Sequence, residues 1–208
     1  MSVMSLISPW YKPTPALIDL LNQAVREDVL KLPSSLARGQ RKRLSEQIAI
    51  DATMAMLATV CPDSIVIDAN TSHRNVPGYD LLVDGRIRLQ VKGGTYVESV
   101  GWTHSIRPNA ADLDYDVMVF VDAGVMLDAR VGRLERFEIP QKSHVEFYVV
   151  PNAVVRGWVQ GGRHINGKGA HIYAYKRPLT PGTREHDGQT RELFDWRNRF
   201  DVITSLLR

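Results

Sequence analysis

Apolar and polar residues alternate on both sides of an Asp84-Gly85 pair in residues 77–92. The apolar positions are Tyr79, Leu81 and Val83 before the pair, and Ile87, Leu89 and Val91 after it. Alternation with a period of two is typical of a strand buried on one face, and Asp-Gly is a frequent turn between two such strands. The stretch is therefore predicted to form a β-hairpin.

The length of the turn decides which side chains of this hairpin share a face. A two-residue turn would mix apolar and charged side chains on each face, which a half-buried sheet disfavours. A three-residue loop over 84–86, with Gly85 or its neighbour in a left-handed conformation, makes one face wholly apolar. Its pairs are Val83 with Ile87, Leu81 with Leu89, and Tyr79 with Val91. The other face then carries Asp80 opposite Gln90, with Lys92 one step further along.

An acid, an amide and a lysine on one patch of strand can hold a metal ion and a water molecule. Asp80 can ligate a hard divalent cation such as Mg²⁺, and Gln90 offers a neutral carbonyl oxygen. Lys92 could orient or help to deprotonate an attacking water, or stabilise negative charge that develops on a phosphoryl group. The alternative is a solvated strand face on which the acid and the lysine have no function.

A strong helix is predicted upstream, over residues 44–58, which are rich in Ala, Leu and Met and contain no Gly or Pro. Glu46, Ala49, Ile50, Thr53 and Leu57 fall on one face of this helix. Glu46 is therefore either a favourable charge in the first helical turn or a second metal-site carboxylate aimed at the sheet.

The remaining apolar segments predict an α/β domain with a mixed central β-sheet flanked by helices. The nearly continuous apolar run 115–121 is typical of a central strand covered on both sides. Further helices are predicted at 16–31 and from Leu193 to Leu207, and a short helical or turn segment at 152–157. Further strands are predicted at 64–68, 133–139, 145–150 and 171–175. A long polar loop is expected over 95–111.

Four places along the chain offer candidates for contacts with a nucleic acid. One lies just before Glu46, two are polar loops, and the last is the glycine-rich segment 156–171. The candidate residues are Arg41, Lys42 and Arg43; Arg74 and Arg107; and Arg163, Asn166 and Lys168. Such side chains can neutralise phosphates or reach base edges. A solvated helix entry and flexible surface loops are the alternatives.

Composition narrows the classes of protein that fit. The 208 residues suffice for one domain with a full core, and 26 basic against 23 acidic residues tolerate a polyanionic partner without requiring one. A single cysteine excludes an internal disulfide and favours a reducing, cytoplasmic location. No apolar run approaches a membrane span and no signal peptide is expected. Spacing for a zinc site, a serine-hydrolase elbow or a dinucleotide loop is missing from the sequence.

Three features in sequence order are informative together: Glu46 on the first core helix, then Pro77-Gly78-Tyr79-Asp80, then Gln90-Val91-Lys92. This arrangement resembles the PD-(D/E)XK nuclease superfamily in its Q-x-K variant. The resemblance covers about residues 40–208, and residues 1–39 are expected to be an arm and a helix packed on this domain. It implies a restriction-endonuclease-like core and Mg²⁺-dependent hydrolysis of DNA. Gln90 stands where the family usually has Glu or Asp, so one negative charge is lost.

The resemblance also implies a role for each site residue. Asp80 and Glu46 would hold Mg²⁺, for which Mn²⁺ can substitute. The Gln90 side chain or the Val91 backbone carbonyl would complete the ligands. Lys92 would position the water. The chain looks most like a type II restriction endonuclease, which implies a homodimer on double-stranded DNA. A Holliday junction resolvase is the second interpretation. A DNA-binding protein with a decayed site and a metal-free protein with an incidental acidic hairpin are the alternatives from other classes.

Overall fold

The computed structural model describes residues 14–26, 34–72, 78–97, 101–106, 114–123, 125–128, 133–137, 145–160, 170–174 and 193–208. The helices in these ranges are α1 (Pro15–Arg26), α2 (Ser34–Val60), α3 (Ala69–Ser72), α4 (Asn152–Gln160) and α5 (Asp201–Leu207). The strands are β1 (Val66–Asp68), β2 (Leu81–Val83), β3 (Ile87–Gly93), β4 (Thr95–Val97), β5 (Gly101–Ile106), β6 (Val117–Asp122), β7 (Val125–Asp128), β8 (Arg133–Phe137), β9 (Glu146–Pro151) and β10 (Ala170–Ala174).

The strands form two five-stranded sheets, in the orders β1-β2-β3-β6-β9 and β10-β5-β4-β7-β8. Each sheet has one parallel pair, β3 with β6 in the first and β4 with β7 in the second, and its other pairs are antiparallel. Only Gly94 separates β3 from β4, and only residues 123–124 separate β6 from β7. The neighbouring parallel strands β3 and β6 of the first sheet therefore continue into the neighbouring parallel strands β4 and β7 of the second sheet.

Apolar clusters cover both faces of the first sheet. Successive residues of the buried strand β6 alternate between them, with Val119 in one cluster and Phe120 in the other. Side chains of α1, α2 and α5 belong to the first cluster, and Val155 and Trp158 of α4 belong to the second. The predicted fold class, α/β with a mixed central sheet flanked by helices, is thereby confirmed. No described helix combines the length and the continuous apolar character that a membrane crossing requires.

The hairpin β2–β3 has the predicted three-residue loop, because Val83 pairs with Ile87 and Leu81 with Leu89. Two loop residues take the left-handed conformation, Asp84 with φ of 51° and Gly85 with φ of 67°. The expected pair of Tyr79 with Val91 is wrong. β2 begins only at Leu81, and the Val91 N–H donates to the Asp80 carboxylate instead of to a backbone carbonyl.

Two other predicted elements need correction. Residues 95–97 and 101–106 are strands of the second sheet, and not part of a long polar loop. Trp102, His104 and Ile106 alternate as buried residues of β5, so the strand pattern was hidden by polar residue types. α2 also begins ten residues before the predicted helix, at Ser34 instead of Leu44, so the basic stretch before Glu46 is itself helical.

The predicted C-terminal helix from Leu193 to Leu207 is interrupted. Asn198 has a φ of 53° and its N–H donates to the Phe147 carbonyl at 2.7 Å, while Arg197 forms an isolated bridge with Tyr148. These bonds attach the segment to the edge strand β9, and a continuous helix could not make them. Only α5, from Asp201 to Leu207, remains as the closing helix.

Candidate active site at the end of the hairpin

Asp80 lies immediately before β2, and its carboxylate contacts β3. Oδ2 accepts a hydrogen bond from the backbone N–H of Val91 at 2.7 Å and another from the side-chain amide of Gln90. Oδ1 lies 3.5 Å from Nδ2 of Asn70. The structure thus brings Asp80 and Gln90 together across the hairpin, as the three-residue loop requires.

Backbone hydrogen bonds fix the position of Asp80 on both sides. Its N–H donates to the Leu89 carbonyl at 2.8 Å, and its own carbonyl accepts from the N–H of Ala69 at 2.9 Å. Ala69 and Asn70 begin the short helix α3, where the Asp68 carboxylate accepts the Asn70 N–H at 2.9 Å. Asn70 is therefore a member of the site that the sequence reasoning missed. Its only signal was a polar turn directly after a predicted strand.

Electrostatics distinguish Asp80 from an ordinary surface carboxylate. Burial raises the pKa of Asp80, and the negative charge of Glu46 raises it further. The positive charge of Lys92, the Val91 N–H and the Asn70 amide lower this pKa, but they do not offset the cost of burial. Asp80 is thus a partly buried acid whose neighbours supply too little positive charge to offset the burial of its carboxylate.

Glu46 is brought toward this site by a close contact between α2 and β3. A Cβ atom added to Gly93 would lie 2.2 Å from the backbone oxygen of Ser45, so only glycine permits the contact. Glu46 is the next residue of α2. Its side chain is 53% exposed and pairs with Lys42 at 3.6 Å. The rest of the predicted stripe is buried, so Glu46 lies at the solvent end of the packed helix face.

Gln90 and Lys92 share the face of β3 opposite to Leu89 and Val91, because side chains alternate along a strand. Gln90 is buried and its Nε2 also lies 3.4 Å from the Val91 carbonyl oxygen. Lys92 is half-buried, and its charge acts on Asp80. Both residues therefore face the same small region as the Asp80 carboxylate.

The other candidate residues divide into two groups. Arg41, Lys42 and Arg43 belong to α2, and the side chains of Lys42 and Arg43 are exposed. The remaining predicted DNA contacts lie outside the described residues: Arg74, Arg107, Arg163, Asn166 and Lys168.

The donor set of the site suits a small hard cation. Asp80 and Glu46 offer two carboxylates, and Gln90 and Val91 offer neutral carbonyl oxygens, which is the ligand type that Mg²⁺ prefers. Within the described ranges, no three His, Cys, Asp or Glu side chains form a group able to hold a metal ion. Such a site would therefore resemble Mg²⁺ sites that rely on one or two carboxylates and complete their shell with water and substrate oxygens.

No protein-family description matches the sequence, and a search of curated proteins found no similar sequence. Among solved structures, the chain is similar to a bacterial homing endonuclease, with 18% sequence identity and a TM-score of 0.41. The match covers 77% of this chain and 89% of that one. A likeness this distant carries no weight for function, which has to be argued from the site itself.

Proposed function

We propose that this protein is a Mg²⁺-dependent endonuclease that hydrolyses phosphodiester bonds of double-stranded DNA. The observation that carries the proposal is the Asp80 carboxylate, which is partly buried, short of positive charge, and placed beside Gln90 and Lys92. Burying a carboxylate is costly unless a cation or hydrogen bonds compensate it. A divalent cation would compensate Asp80 and Glu46 together.

Each residue has a role in this proposal. Asp80 and Glu46 supply the charged ligands, and the side-chain oxygen of Gln90 or the carbonyl oxygen of Val91 completes the protein's share. Bound Mg²⁺ would polarise a phosphoryl oxygen and make a coordinated water more acidic. Lys92 would orient that water or stabilise the charge that develops on the phosphate. Mn²⁺ offers the same coordination chemistry and is expected to substitute.

Within the endonucleases, a sequence-specific type II restriction enzyme acting as a homodimer is our specific proposal. It rests on the resemblance of the sequence motifs. The exposed side chains of Lys42 and Arg43 lie within one helical turn of Glu46, where they could contact phosphates and position the duplex. Arg41, Arg74, Arg107, Arg163, Asn166 and Lys168 are proposed as further DNA contacts.

A DNA-binding protein that does not cleave is the second candidate. It is favoured by one observation, namely that the Gln90 side-chain amide donates to Asp80. This hydrogen bond stabilises the carboxylate without any metal, and Gln90 carries no charge that would attract one. A cleavage assay separates the two candidates directly.

The test is digestion of plasmid, phage and four-way-junction DNA with Mg²⁺, beside a Lys92→Ala variant and a Mg²⁺-free control, with a gel-shift assay of binding to the same DNAs. Discrete fragments from the native protein alone would support a sequence-specific endonuclease and reveal its site. A smear would support a nuclease without sequence preference, and cleavage of four-way junctions alone would support a resolvase. If linear and branched DNA are bound but stay intact, the protein is a binding protein with a decayed site.

A further inference from the structure

The passage of the chain from the first sheet into the second contains a buried pair of polar side chains. Gly94 connects β3 to β4 and donates its N–H to the Val121 carbonyl at 2.9 Å. One residue further along β6, Asp122 lies 2.7 Å through Oδ1 from Nε2 of His104 on β5. This contact therefore joins the two sheets beside Gly94, which follows Lys92 by two residues.

Both members of the pair are almost fully buried, His104 with 0% and Asp122 with 1% of the side chain exposed. In the part of the chain that the structure describes, Nδ1 of His104 has no hydrogen-bond partner. Replacing a buried polar pair by apolar side chains of similar volume is often neutral or even stabilising. The presence of this pair therefore needs a reason other than stability.

Asp122 depends on His104 as its partner. Burial raises the pKa of Asp122, and the hydrogen bond and charge of His104 are the largest opposing influence. The Tyr148 hydroxyl lies 3.3 Å from Asp122 Oδ2 but only 2.8 Å from Glu146 Oε2. A phenol has a single hydrogen to donate, and the shorter contact favours Glu146. Arg197 also pairs with Glu146, at 2.6 Å, and not with Asp122.

The His104 ring contacts the surroundings of Lys92 on two sides. A Cβ atom added to Gly94 would lie only 2.7 Å from Cε1 of His104, so the ring packs directly on this glycine. The ring also makes an edge-to-face contact with Phe120, with centroids 5.2 Å apart. Phe120 is the parallel-strand partner of Lys92. His104 thus packs against the strand neighbour of Lys92 and against the chain that follows it.

We propose that His104 and Asp122 are positioning residues for Lys92. They act by holding in place Gly94, which follows β3, and Phe120, the neighbour of Lys92 on β6. The proposal rests on the proposed function as far as it concerns cleavage. Its structural part, that the pair keeps the end of β3 in register with β6, does not depend on any enzymatic activity.

The test uses a double variant, His104→Phe with Asp122→Leu, which removes the polar pair and keeps apolar volume. Replacing a buried polar pair in this way often leaves stability unchanged, so the variant is expected to fold. His104→Gln is the conservative variant, because its amide can still donate to Asp122. The matched control is Arg88→Met with Asp116→Leu, which removes a polar pair at the opposite end of β3 and β6.

Two measurements decide the outcome. The first is amide hydrogen exchange by NMR at Lys92, Gly93 and Gly94, for which we expect about tenfold faster exchange in the double variant and no change in the control. The second is cleavage kinetics, for which we expect about a tenfold lower kcat, with unchanged affinity for DNA in the absence of Mg²⁺ and partial rescue in His104→Gln. Thermal unfolding temperatures are measured for all variants so that a general loss of stability is recognised.

The two measurements also separate the two proposals. If the double variant keeps both wild-type exchange and wild-type kcat, the pair is core filling and the positioning proposal is wrong. If the wild-type protein cleaves no DNA, the proposed function fails, and the exchange rates alone still decide whether the pair holds the end of β3. If the double variant does not fold, the same two measurements on the single variant His104→Phe decide, because it keeps an aromatic ring and removes the hydrogen bond to Asp122, and wild-type values there again overturn the proposal.

Discussion

Two aspartates contact β3 in the same way but have opposite surroundings. Asp80 Oδ2 accepts the backbone N–H of Val91 at 2.7 Å, and Asp116 Oδ2 accepts that of Arg88 at 2.8 Å. Asp116 is also held by the Arg88 guanidinium, at 3.2 and 3.1 Å. At Asp80, the corresponding side-chain donor is the neutral amide of Gln90.

The pKa values of the two carboxyl groups diverge accordingly. Burial alone would raise the pKa of Asp116, but the hydrogen bonds and charge of Arg88 outweigh it and lower the pKa. At Asp80 burial prevails and the pKa is raised. Asp116 therefore has a cation hydrogen-bonded to it, whereas at Asp80 the charge of Lys92 does not offset the cost of burial. The difference indicates which carboxylate is available to an external cation.

The largest expected effect concerns the response of Asp80 to Mg²⁺. If the ion binds the folded protein at this site, Mg²⁺ at one hundred times its Kd should stabilise the protein by about 2.7 kcal/mol. Asp80→Asn should abolish this stabilisation, and Asp116→Asn should leave it intact. Thermal unfolding with and without Mg²⁺ measures the effect, and NaCl at matched ionic strength controls for screening.

Two results would contradict this part of the comparison. One is a wild-type protein whose unfolding temperature ignores Mg²⁺, which would support a metal-free protein with an incidental acidic hairpin. The other is an equal Mg²⁺ response in the two variants, which would place the cation away from Asp80.

The next effect is the loss of stability when Asp116 is replaced. Asp116→Asn should cost about 1.5–2 kcal/mol at neutral pH, because it removes a charge-assisted contact that is partly exposed to solvent. A lowered folded-state pKa means that the contribution is present above the unfolded-state pKa, about 3.9, and is lost as the pH falls through the folded value. Urea unfolding should therefore show a difference between variant and wild type that is full at pH 7 and shrinks as the pH falls below about 3.9.

The fold could be predicted from the sequence where local patterns and tertiary structure agree. The alternation around Asp84-Gly85 determined the register of the hairpin, and the unbroken apolar run of β6 indicated a strand covered on both faces. Local sequence patterns gave wrong predictions where contacts between residues far apart in the sequence determine the structure. Asn198 leaves the helical conformation because it bonds to Phe147 of β9, and no local signal announces that contact.

The candidate site was predictable only in part, for the same reason. Asp80 and Gln90 face each other because a hairpin register is a local property. The approach of Glu46 depends on the packing of α2 against Gly93, and the place of Asn70 depends on the pairing of β1 with β2. His104 falls in a predicted polar loop, because its burial depends on the pairing of β5 with β4 and β10 and on the contact with Asp122 of β6.

A smaller effect should follow from giving Gln90 a negative charge. In Gln90→Glu, the amide that donates to Asp80 becomes a carboxylate that repels it, so the metal-free protein should lose stability. With Mg²⁺ the extra charge becomes favourable, and we expect about a tenfold gain in affinity, equivalent to about 1.4 kcal/mol. Calorimetric titration with Mg²⁺ measures the gain, and Gln90→Met controls for loss of the amide alone. Weaker binding of Mg²⁺ by Gln90→Glu would indicate that Gln90 does not face the ion.

The smallest effect is the pH dependence of Asp80 in the absence of metal. Because its folded-state pKa is raised, ionising Asp80 costs stability, and this cost grows as the pH rises from the unfolded-state value through the folded one. Asp80→Asn should therefore raise the unfolding temperature of the metal-free protein at pH 7 by up to about 2 °C, which corresponds to less than 1 kcal/mol. The gain should shrink as the pH falls and vanish below the unfolded-state pKa, about 3.9, where the carboxyl is protonated in both states. Asp116→Asn should show the opposite sign at pH 7. If both variants lose stability there, the surroundings of Asp80 favour its charged form and Asp80 is as structural as Asp116.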